Sequence, residues 1–272
     1  MTAGAAPAPS DVAEHPRGYA PDVLRSEYWK LRSVPSTPWT LTAAVGSNVV
    51  IAVLAAIFIP GHLSAADASS TDAVRLSLAG LHLSQIAFGV LGALVITSEY
   101  GTGMVRATFA AVPNRRLVLA AKATVFVVTA LVVGTASCFA AYGLFQAFVS
   151  GGDLRSSLGD PGVLRAVIGG GLYLSAVGLL GLGLGAILRS SAGTIATLFG
   201  LLFVPSLLTS LLPHAWQTTV GGYVPMEAGS QIFIAVHHDS NSLGAWTGFG
   251  VFCSYAAAAL AIGFLIIDQR DA

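Results

Sequence analysis

The sequence contains few charged residues. Aspartate, glutamate, lysine and arginine make up 10% of its 272 residues, whereas 54% are hydrophobic. Soluble domains carry about a quarter charged residues, so this chain cannot cover a water-facing surface in the usual way. Thirteen basic and thirteen acidic residues give a net charge of zero, which argues against a general affinity for nucleic acid.

The sequence also lacks the motifs of common catalytic sites. It contains no GxxxxGK[ST] phosphate loop, no HExxH zinc motif and no GxSxG elbow. Its two cysteines, Cys138 and Cys253, lie in apolar stretches and are interpreted as packing residues rather than as a disulfide or metal site. The one local cluster that resembles metal ligands is His237-His238-Asp239, but adjacent histidines point in different directions on most backbones. We therefore predict no catalytic residue, no metal site and no cofactor held by this chain.

Long apolar runs make up most of the sequence. Six of them have the roughly 18 to 25 residues that a helix needs to cross a bilayer, and they do not alternate as the strands of a membrane β-barrel do. The chain is therefore predicted to be an all-α integral membrane protein with six transmembrane helices, at Trp39–Ile59, Gly80–Thr97, Ala123–Val149, Val163–Leu188, Thr194–Leu212 and Ala245–Ile267. Residues 1–20 are polar and rich in proline and alanine, which predicts a disordered cytosolic tail rather than a signal peptide. The membrane domain is predicted at 21–272.

The basic residues predict the orientation of the spans. Cytoplasmic loops carry an excess of lysine and arginine, and a cytoplasmic N-terminus places ten of the thirteen basic residues inside and three outside. Both termini are therefore predicted to be cytoplasmic. The inner group is Arg17, Arg25, Lys30, Arg32, Arg106, Arg115, Arg116, Lys122, Arg189 and Arg270, and the outer group is Arg75, Arg155 and Arg165.

The segment Pro21–Val34, before the first span, has the pattern of an amphipathic helix. Its apolar residues fall within one arc of about 140° at helical spacing, although Glu27 intrudes into that arc and Trp29 lies away from it. Such a helix is expected to lie in the cytoplasmic membrane interface. An ordinary solvated helix is the alternative. The apolar arc is formed by Val23, Leu24, Tyr28, Leu31 and Val34.

Ionisable residues are scarce within the predicted spans. The notable polar residues there are Asn48, Gln85 and Gln146, and none of them titrates. Lys122 and Arg165 lie near span ends, where long side chains are expected to reach the membrane interface. Ion-coupled pumps need buried carboxylates, histidines or ion-binding clusters, so any uphill transport must draw its energy from another polypeptide.

Small residues, one proline and one loop predict further features. Gly181 and Gly185 in the fourth span have GxxxG spacing, which predicts close helix packing. Pro205 predicts a kink in the fifth span. The outer loop Pro213–Gly244 contains many apolar residues, which predict short helices dipping into the outer leaflet rather than a floppy loop.

The loop between the second and third spans combines a carboxylate, a glycine break and a basic run. It reads Thr97-Ser98-Glu99-Tyr100-Gly101-Thr102-Gly103-Met104-Val105-Arg106, followed by Pro113-Asn114-Arg115-Arg116 and Lys122. This composition predicts a charged, hinged element that faces something in the cytoplasm. A basic loop that only fixes the topology is the alternative.

This loop resembles that of the permease subunit of type-2 ABC transporters, a bacterial exporter family. The family shows an acidic residue and Gly-Thr after the second span, then proline, basic residues and a lysine that opens the third span. The residues that match are Glu99, Gly101, Thr102, Pro113, Arg115 and Lys122. Ser26–Ser33 resembles the family's connecting helix in its Glu-x-x-Lys-Leu-Arg form, and Tyr223-Val224-Pro225 resembles its outer segment.

The resemblance implies a multi-pass subunit of an ATP-driven exporter in the bacterial plasma membrane. Its expected partners are a cytosolic ABC ATPase that binds ATP and Mg, a second permease chain that is identical or paralogous, and membrane lipid, but no nucleic acid. The coupling element would be Glu99–Ala111, with Glu99 paired to Arg106 or to a basic residue of the ATPase. The expected site residues are Glu99, Tyr100, Gly101, Thr102, Met104 and Arg106 in that element and Glu27, Trp29, Lys30 and Arg32 in the interfacial helix.

Two other functions are weighed against this one. An intramembrane enzyme would need several polar residues at one depth, and the sequence shows no such set. A non-transporting sensor or immunity subunit of permease-like fold is harder to separate, because folds are reused for different functions. Stimulation of the ATPase without substrate movement would indicate that second alternative.

Overall fold

The computed structural model describes residues 19–62, 71–150, 154–211, 213, 220–235 and 243–269. Within these ranges the chain is helical and contains no strand. The helices are α1 Tyr19–Ser33, α2 Ser36–Phe58, α3 Ala73–Ser77, α4 Leu81–Thr102, α5 Met104–Ala111, α6 Arg115–Phe148, α7 Val163–Leu188, α8 Ser191–Ser210, α9 Pro225–Ser230 and α10 Ala245–Gln269. The predicted tail and the cluster His237-His238-Asp239 lie outside the described residues, apart from the last two residues of the tail.

Six of these helices, α2, α4, α6, α7, α8 and α10, are long and apolar enough to cross a membrane. Each of the six predicted spans coincides with one of these helices, and the fourth has the predicted bounds. The largest difference is at α6, which begins at Arg115 rather than at Ala123, because the Asn114 side chain accepts a hydrogen bond from the Leu117 amide (3.1 Å) and caps a polar first turn. Pro205 lies inside α8, which continues to Ser210.

Helix α7 lies at the centre of the bundle, with α4, α6 and α10 packed around it. Its glycines allow this close approach, as the GxxxG spacing predicted. A Cβ atom on Gly181 would lie 2.4 Å from the Gly89 carbonyl oxygen of α4, and one on Gly183 would lie 2.8 Å from the Leu260 amide of α10. Gly185 meets α4 in the same way. In an 18-residue apolar stretch of α7, 72% of the residues are buried, whereas in the corresponding stretch of α8 only 17% are buried.

Residues from distant parts of the chain meet at the two ends of the bundle, which we name the α1 end and the α9 end. The α1 end contains α1 and α5, the last turns of α4, α7 and α10, and the first turns of α6 and α8. Among the described basic residues, only Arg75, Arg155 and Arg165 lie toward the α9 end. The basic residues thus separate between the ends as the orientation argument requires.

Short helices lie in the described part of the predicted outer loop Pro213–Gly244. They comprise α9 and the 3₁₀ turns Gly221–Tyr223 and Gln231–Phe233. The second turn packs into the protein, with Ile232 fully buried. Arg165 lies in the first turn of α7. Its guanidinium donates hydrogen bonds to the carbonyls of Ile232 (3.3 Å) and Ile234 (3.0 Å), which the short turn leaves without helical partners.

Candidate functional site

Four charged side chains form a closed network at the α1 end, which we name the ion quartet: Glu27, Lys30, Glu99 and Lys122. The Lys122 Nζ atom lies 2.6 Å from Glu27 Oε2 and 2.6 Å from Glu99 Oε1. The Lys30 Nζ atom lies 2.7 Å from Glu27 Oε1 and 3.1 Å from Glu99 Oε1. Each lysine therefore contacts both carboxylates, and the four formal charges sum to zero.

Three members of the quartet are buried. Glu27, Glu99 and Lys122 are each 4% exposed, whereas about a third of the Lys30 side chain is accessible. Transfer of an ion out of water costs several kcal/mol even after relaxation, and only close partners of opposite charge offset that cost. Because the network is internally neutral and has short contacts, its charges are tolerated together but not singly.

Three separate helices position the quartet. Helix α1 supplies Glu27 and Lys30 three residues apart on one face. Glu99 comes from the last turns of α4, and Lys122 from the second turn of α6. The quartet is consequently the joint that connects α1 to the ends of two candidate spans.

The quartet accounts for three features that the sequence interpretation treated separately. Glu27 interrupts the apolar arc of α1 because its carboxylate faces Lys122 rather than solvent. Lys122 is buried near the start of α6 because its ammonium group donates hydrogen bonds to the carboxylates of both Glu27 and Glu99. Glu99 pairs within the described chain with Lys30 and Lys122, and not with Arg106.

Lys30, like Glu27, lies on α1 and therefore outside the candidate spans. Burial acts to lower its pKa, but the hydrogen bonds and negative charges of Glu27 and Glu99 outweigh burial and hold the pKa above the ordinary 10.5. A raised lysine pKa means that the charged form stabilises the folded protein below pH 10.5 and that this stabilisation is lost as pH rises through the raised value. The Lys30 contacts are therefore fully formed at neutral pH.

Helix α5 extends the joint toward solvent. Gly103, with a left-handed φ of 71°, ends α4 and starts α5, a conformation that favours glycine. Val105 is buried, and the Thr108 hydroxyl accepts a hydrogen bond from Lys30 Nζ (3.3 Å). Phe109 lies under the Arg115 guanidinium, 5.1 Å from its ring centroid. These three residues, at i, i+3 and i+4, fix the inner face of α5 to the bundle.

The opposite face of α5 is exposed. Met104, Arg106, Ala107, Ala110 and Ala111 are all solvent-accessible. The α1 end thus presents a short helix whose inner side is tied to the ion quartet and whose outer side is free to meet another molecule.

The remaining predicted residues lie around the quartet rather than in it. Tyr100 stacks under the Arg189 guanidinium, 5.0 Å from the ring centroid. Gly101 and Thr102 are exposed at the end of α4. Trp29 and Arg32 lie on the exposed side of α1, with the Arg32 guanidinium 5.9 Å from the Trp29 ring. The structure therefore brings Glu27, Lys30 and Glu99 together, and leaves the others at the periphery.

Sequence reasoning did not name Lys122, Thr108 or Arg189 as site residues. A signal for Lys122 was present, because two carboxylates and one lysine occupy the same predicted end of three neighbouring apolar segments. Charges that border spans on one side tend to pair where burial would otherwise leave them without a partner. No comparable signal marks Thr108 or Arg189, whose contacts depend on the tertiary packing.

Comparison of the chain with protein-family models found no match. A search of curated proteins likewise found no match. The site is therefore interpreted from its own geometry.

Proposed function

We propose that this protein is the permease subunit of an ATP-driven ABC exporter in a bacterial plasma membrane. In this proposal two permease chains form the translocation path between them, and a separate cytosolic ATPase supplies the energy. The observation that carries the proposal is the ion quartet behind α5, since it connects an exposed surface helix to two candidate spans through buried charges.

The geometry supplies a route for mechanical coupling. A partner bound to the exposed face of α5 moves that helix, and the contacts of Val105, Thr108 and Phe109 transfer the movement inward. The quartet then moves the end of α4 and the start of α6 together. Such movement selects between inward- and outward-facing arrangements if the ATPase binds the two with different affinity.

The orientation of the protein follows from the charge distribution. With the α1 end in the cytoplasm, most basic residues lie inside, as is usual for membrane proteins. Helix α1 then lies at the inner interface with Trp29 exposed (52%), a position that suits an interfacial aromatic residue. Both ends of the chain are cytoplasmic in this arrangement.

The proposal assigns no ion-driven step to the chain. The polar residues Asn48, Gln85 and Gln146 of the candidate spans are uncharged, and both buried carboxylates of the quartet are paired with lysines. Proton-coupled carriers rely on intramembrane carboxylates or histidines that exchange protons. A path between apolar helices suits amphipathic or lipid-like substrates.

The test is recovery of the ATPase and its dependence on α5. The chain is tagged at its C-terminus, solubilised from its native membrane in mild detergent, and its co-purifying proteins are identified by mass spectrometry. We expect a soluble protein with a GxxxxGK[ST] motif, lost in Ala110→Glu on the exposed face of α5. The matched control Ala20→Glu, an exposed alanine of α1, should retain it.

Two results would contradict the proposal. Recovery of the chain alone, under conditions that preserve a known transporter, favours a sensor or immunity subunit. Recovery of the same ATPase by both Ala110→Glu and Ala20→Glu shows that α5 is not the docking element.

A further inference from the structure

A cavity of about 180 Å³ lies beside the ion quartet, between α1, the start of α2 and the last turns of α4. It is larger than an engineered cavity of about 150 Å³ that binds benzene. One side is charged and the other is apolar. The charged side is formed by Glu27, Lys30, Glu99 and Lys122, and the apolar side by Leu31, Val34, Leu91, Leu94 and Val95.

The charged side has unused hydrogen-bonding capacity. Lys122 donates to two carboxylates, although an ammonium group has three N–H donors. Glu99 accepts from both lysines through Oε1, and its Oε2 atom accepts no hydrogen bond within the described chain. Both residues are 4% exposed and both line the cavity. A ligand in the cavity that carries both a donor and an acceptor would complete the hydrogen bonding of both groups.

The charge balance restricts that ligand further. The quartet is neutral, with one free carboxylate oxygen and one free ammonium N–H. A zwitterion places opposite charges against both groups, whereas an anion would approach two carboxylates without compensation. The ligand should therefore combine a primary ammonium, an anionic group and an apolar portion.

The position of the cavity indicates the membrane as the source. Its rim contains the exposed residues Val34, Ser36, Ser98 and Met104, so it opens at the end of the apolar spans. Trp39 is 76% exposed on the adjoining first turn of α2, and exposed tryptophans concentrate at the level of lipid head groups.

We propose that this cavity binds one phosphatidylethanolamine molecule. The lipid ammonium donates to Glu99 Oε2, the phosphate accepts from Lys122, and the start of an acyl chain lies against Leu91, Leu94 and Val95. Phosphatidylcholine lacks the N–H donors that Glu99 requires, and phosphatidylglycerol lacks the positive charge. The lipid would thus fill the space between α1 and α4.

The experiment compares lipids in native mass spectrometry of the purified, delipidated full chain. Phosphatidylethanolamine, phosphatidylcholine and phosphatidylglycerol with identical acyl chains are added in equal amounts. We expect one phosphatidylethanolamine retained about tenfold over each competitor, the ratio that a single additional charge-assisted hydrogen bond produces. Ser98→Trp on α4 and Val34→Trp between α1 and α2, both in the cavity lining, should each abolish this preference. Thr102→Trp, one turn beyond Ser98 on the same helix and outside the cavity lining, should keep it.

Equal retention of the three lipids would overturn the proposal without reference to any variant. Selective retention that survives both rim variants places the lipid elsewhere and also overturns it. Because the measurement needs neither ATP nor an ATPase, its failure is distinguishable from failure of the proposed transport function.

Discussion

The side chains of the ion quartet depend on one another. Lys122 contacts both carboxylates, and Glu99 receives both lysines through a single oxygen atom. Removal of one partner from a buried ion network leaves a charge that neither water nor protein compensates. The quartet is therefore a single unit at the scale of residues, and its variants should behave non-additively.

Lys122→Met should reveal this dependence. Methionine keeps most of the side-chain length but leaves Glu27 and Glu99 with Lys30 as their shared cation, so we expect a loss of about 3–5 kcal/mol in stability. The measurement is the temperature at which half of the detergent-solubilised protein loses its monodisperse peak. Arg116→Met, which breaks the exposed pair with Asp268, is the control and should cost less than about 1 kcal/mol. The double variant Lys122→Met with Glu99→Gln should recover part of the lost stability. If its loss equals the sum of the losses of the two single variants, the four residues do not act as a unit.

Arg189 tests backbone strain against side-chain stacking. It has φ of 55°, the sole positive φ of a non-glycine residue in the described chain, and its guanidinium stacks on Tyr100. Arg189→Ala loses the stack and keeps the strain, whereas Arg189→Gly loses the stack and relieves the strain. We expect the glycine variant to be more stable than the alanine variant by about 1 kcal/mol. The same thermal assay compares the two variants. A more stable alanine variant would contradict the left-handed backbone conformation of residue 189.

The sequence carried part of this residue-scale information. Glu27 and Glu99 can be identified from the sequence, because Glu27 interrupts the apolar arc of a helix and Glu99 lies at the end of an apolar run. Their pairing with Lys122 was not predicted, because the three residues come from three different helices and no local pattern joins them. The unused Oε2 atom of Glu99 and the cavity beside it depend on the packing of three helices, which no local pattern contains.

At the scale of elements, close backbone contact organises the bundle around α7. Helices α4, α6 and α10 meet α7 at glycine residues, where larger side chains would separate the helices. Apolar run lengths predicted the six long helices well, since crossing a bilayer requires a minimum length. They predicted the ends of α4 and α6 less well, because polar residues such as Asn114 extend a helix beyond its apolar portion.

Gly92→Ala should separate α4 from α7. A Cβ atom at Gly92 would lie 1.9 Å from the Gly178 carbonyl oxygen, which is backbone and cannot rotate away. We expect a loss of about 1–3 kcal/mol, typical of overpacking, in the thermal assay. Gly143→Ala on α6, where a Cβ atom meets nothing within 4 Å, is the matched control and should be neutral or slightly stabilising. Equal effects of the two substitutions would contradict the close α4–α7 contact.

At the scale of the whole molecule, six helices that are long and apolar enough to cross a membrane bring Tyr19 and Gln269, the first and last described residues, to the same end of the bundle. The α1 end gathers most described basic residues, and exposed tryptophans lie at both ends of the bundle, such as Trp39 (76%) and Trp246 (64%). Aromatic residues at two levels are typical of a protein that meets two membrane interfaces.

Cysteine labelling tests this orientation. In a background of Cys138→Ala and Cys253→Ala, single cysteines are placed at the exposed residues Ala110 of α5 and Leu158 of the loop between α6 and α7. A membrane-impermeant maleimide should label Leu158→Cys on intact cells, and Ala110→Cys only after permeabilisation. Labelling of both positions on intact cells would contradict the predicted topology.

The order of residues along the chain has a consequence for biosynthesis. Every member of the ion quartet lies at or before residue 122, so its charges can neutralise one another as soon as α6 has left the ribosome. At the α9 end, by contrast, Asp72 Oδ2 accepts a hydrogen bond from the Ala235 amide (2.9 Å). Arg165 donates hydrogen bonds to the carbonyls of Ile232, Ile234 and Ala235, which are synthesised about 70 residues later. During synthesis the ion quartet can therefore form early, once α6 is complete. The contacts at the α9 end form only after residue 235 has been synthesised, shortly before α10.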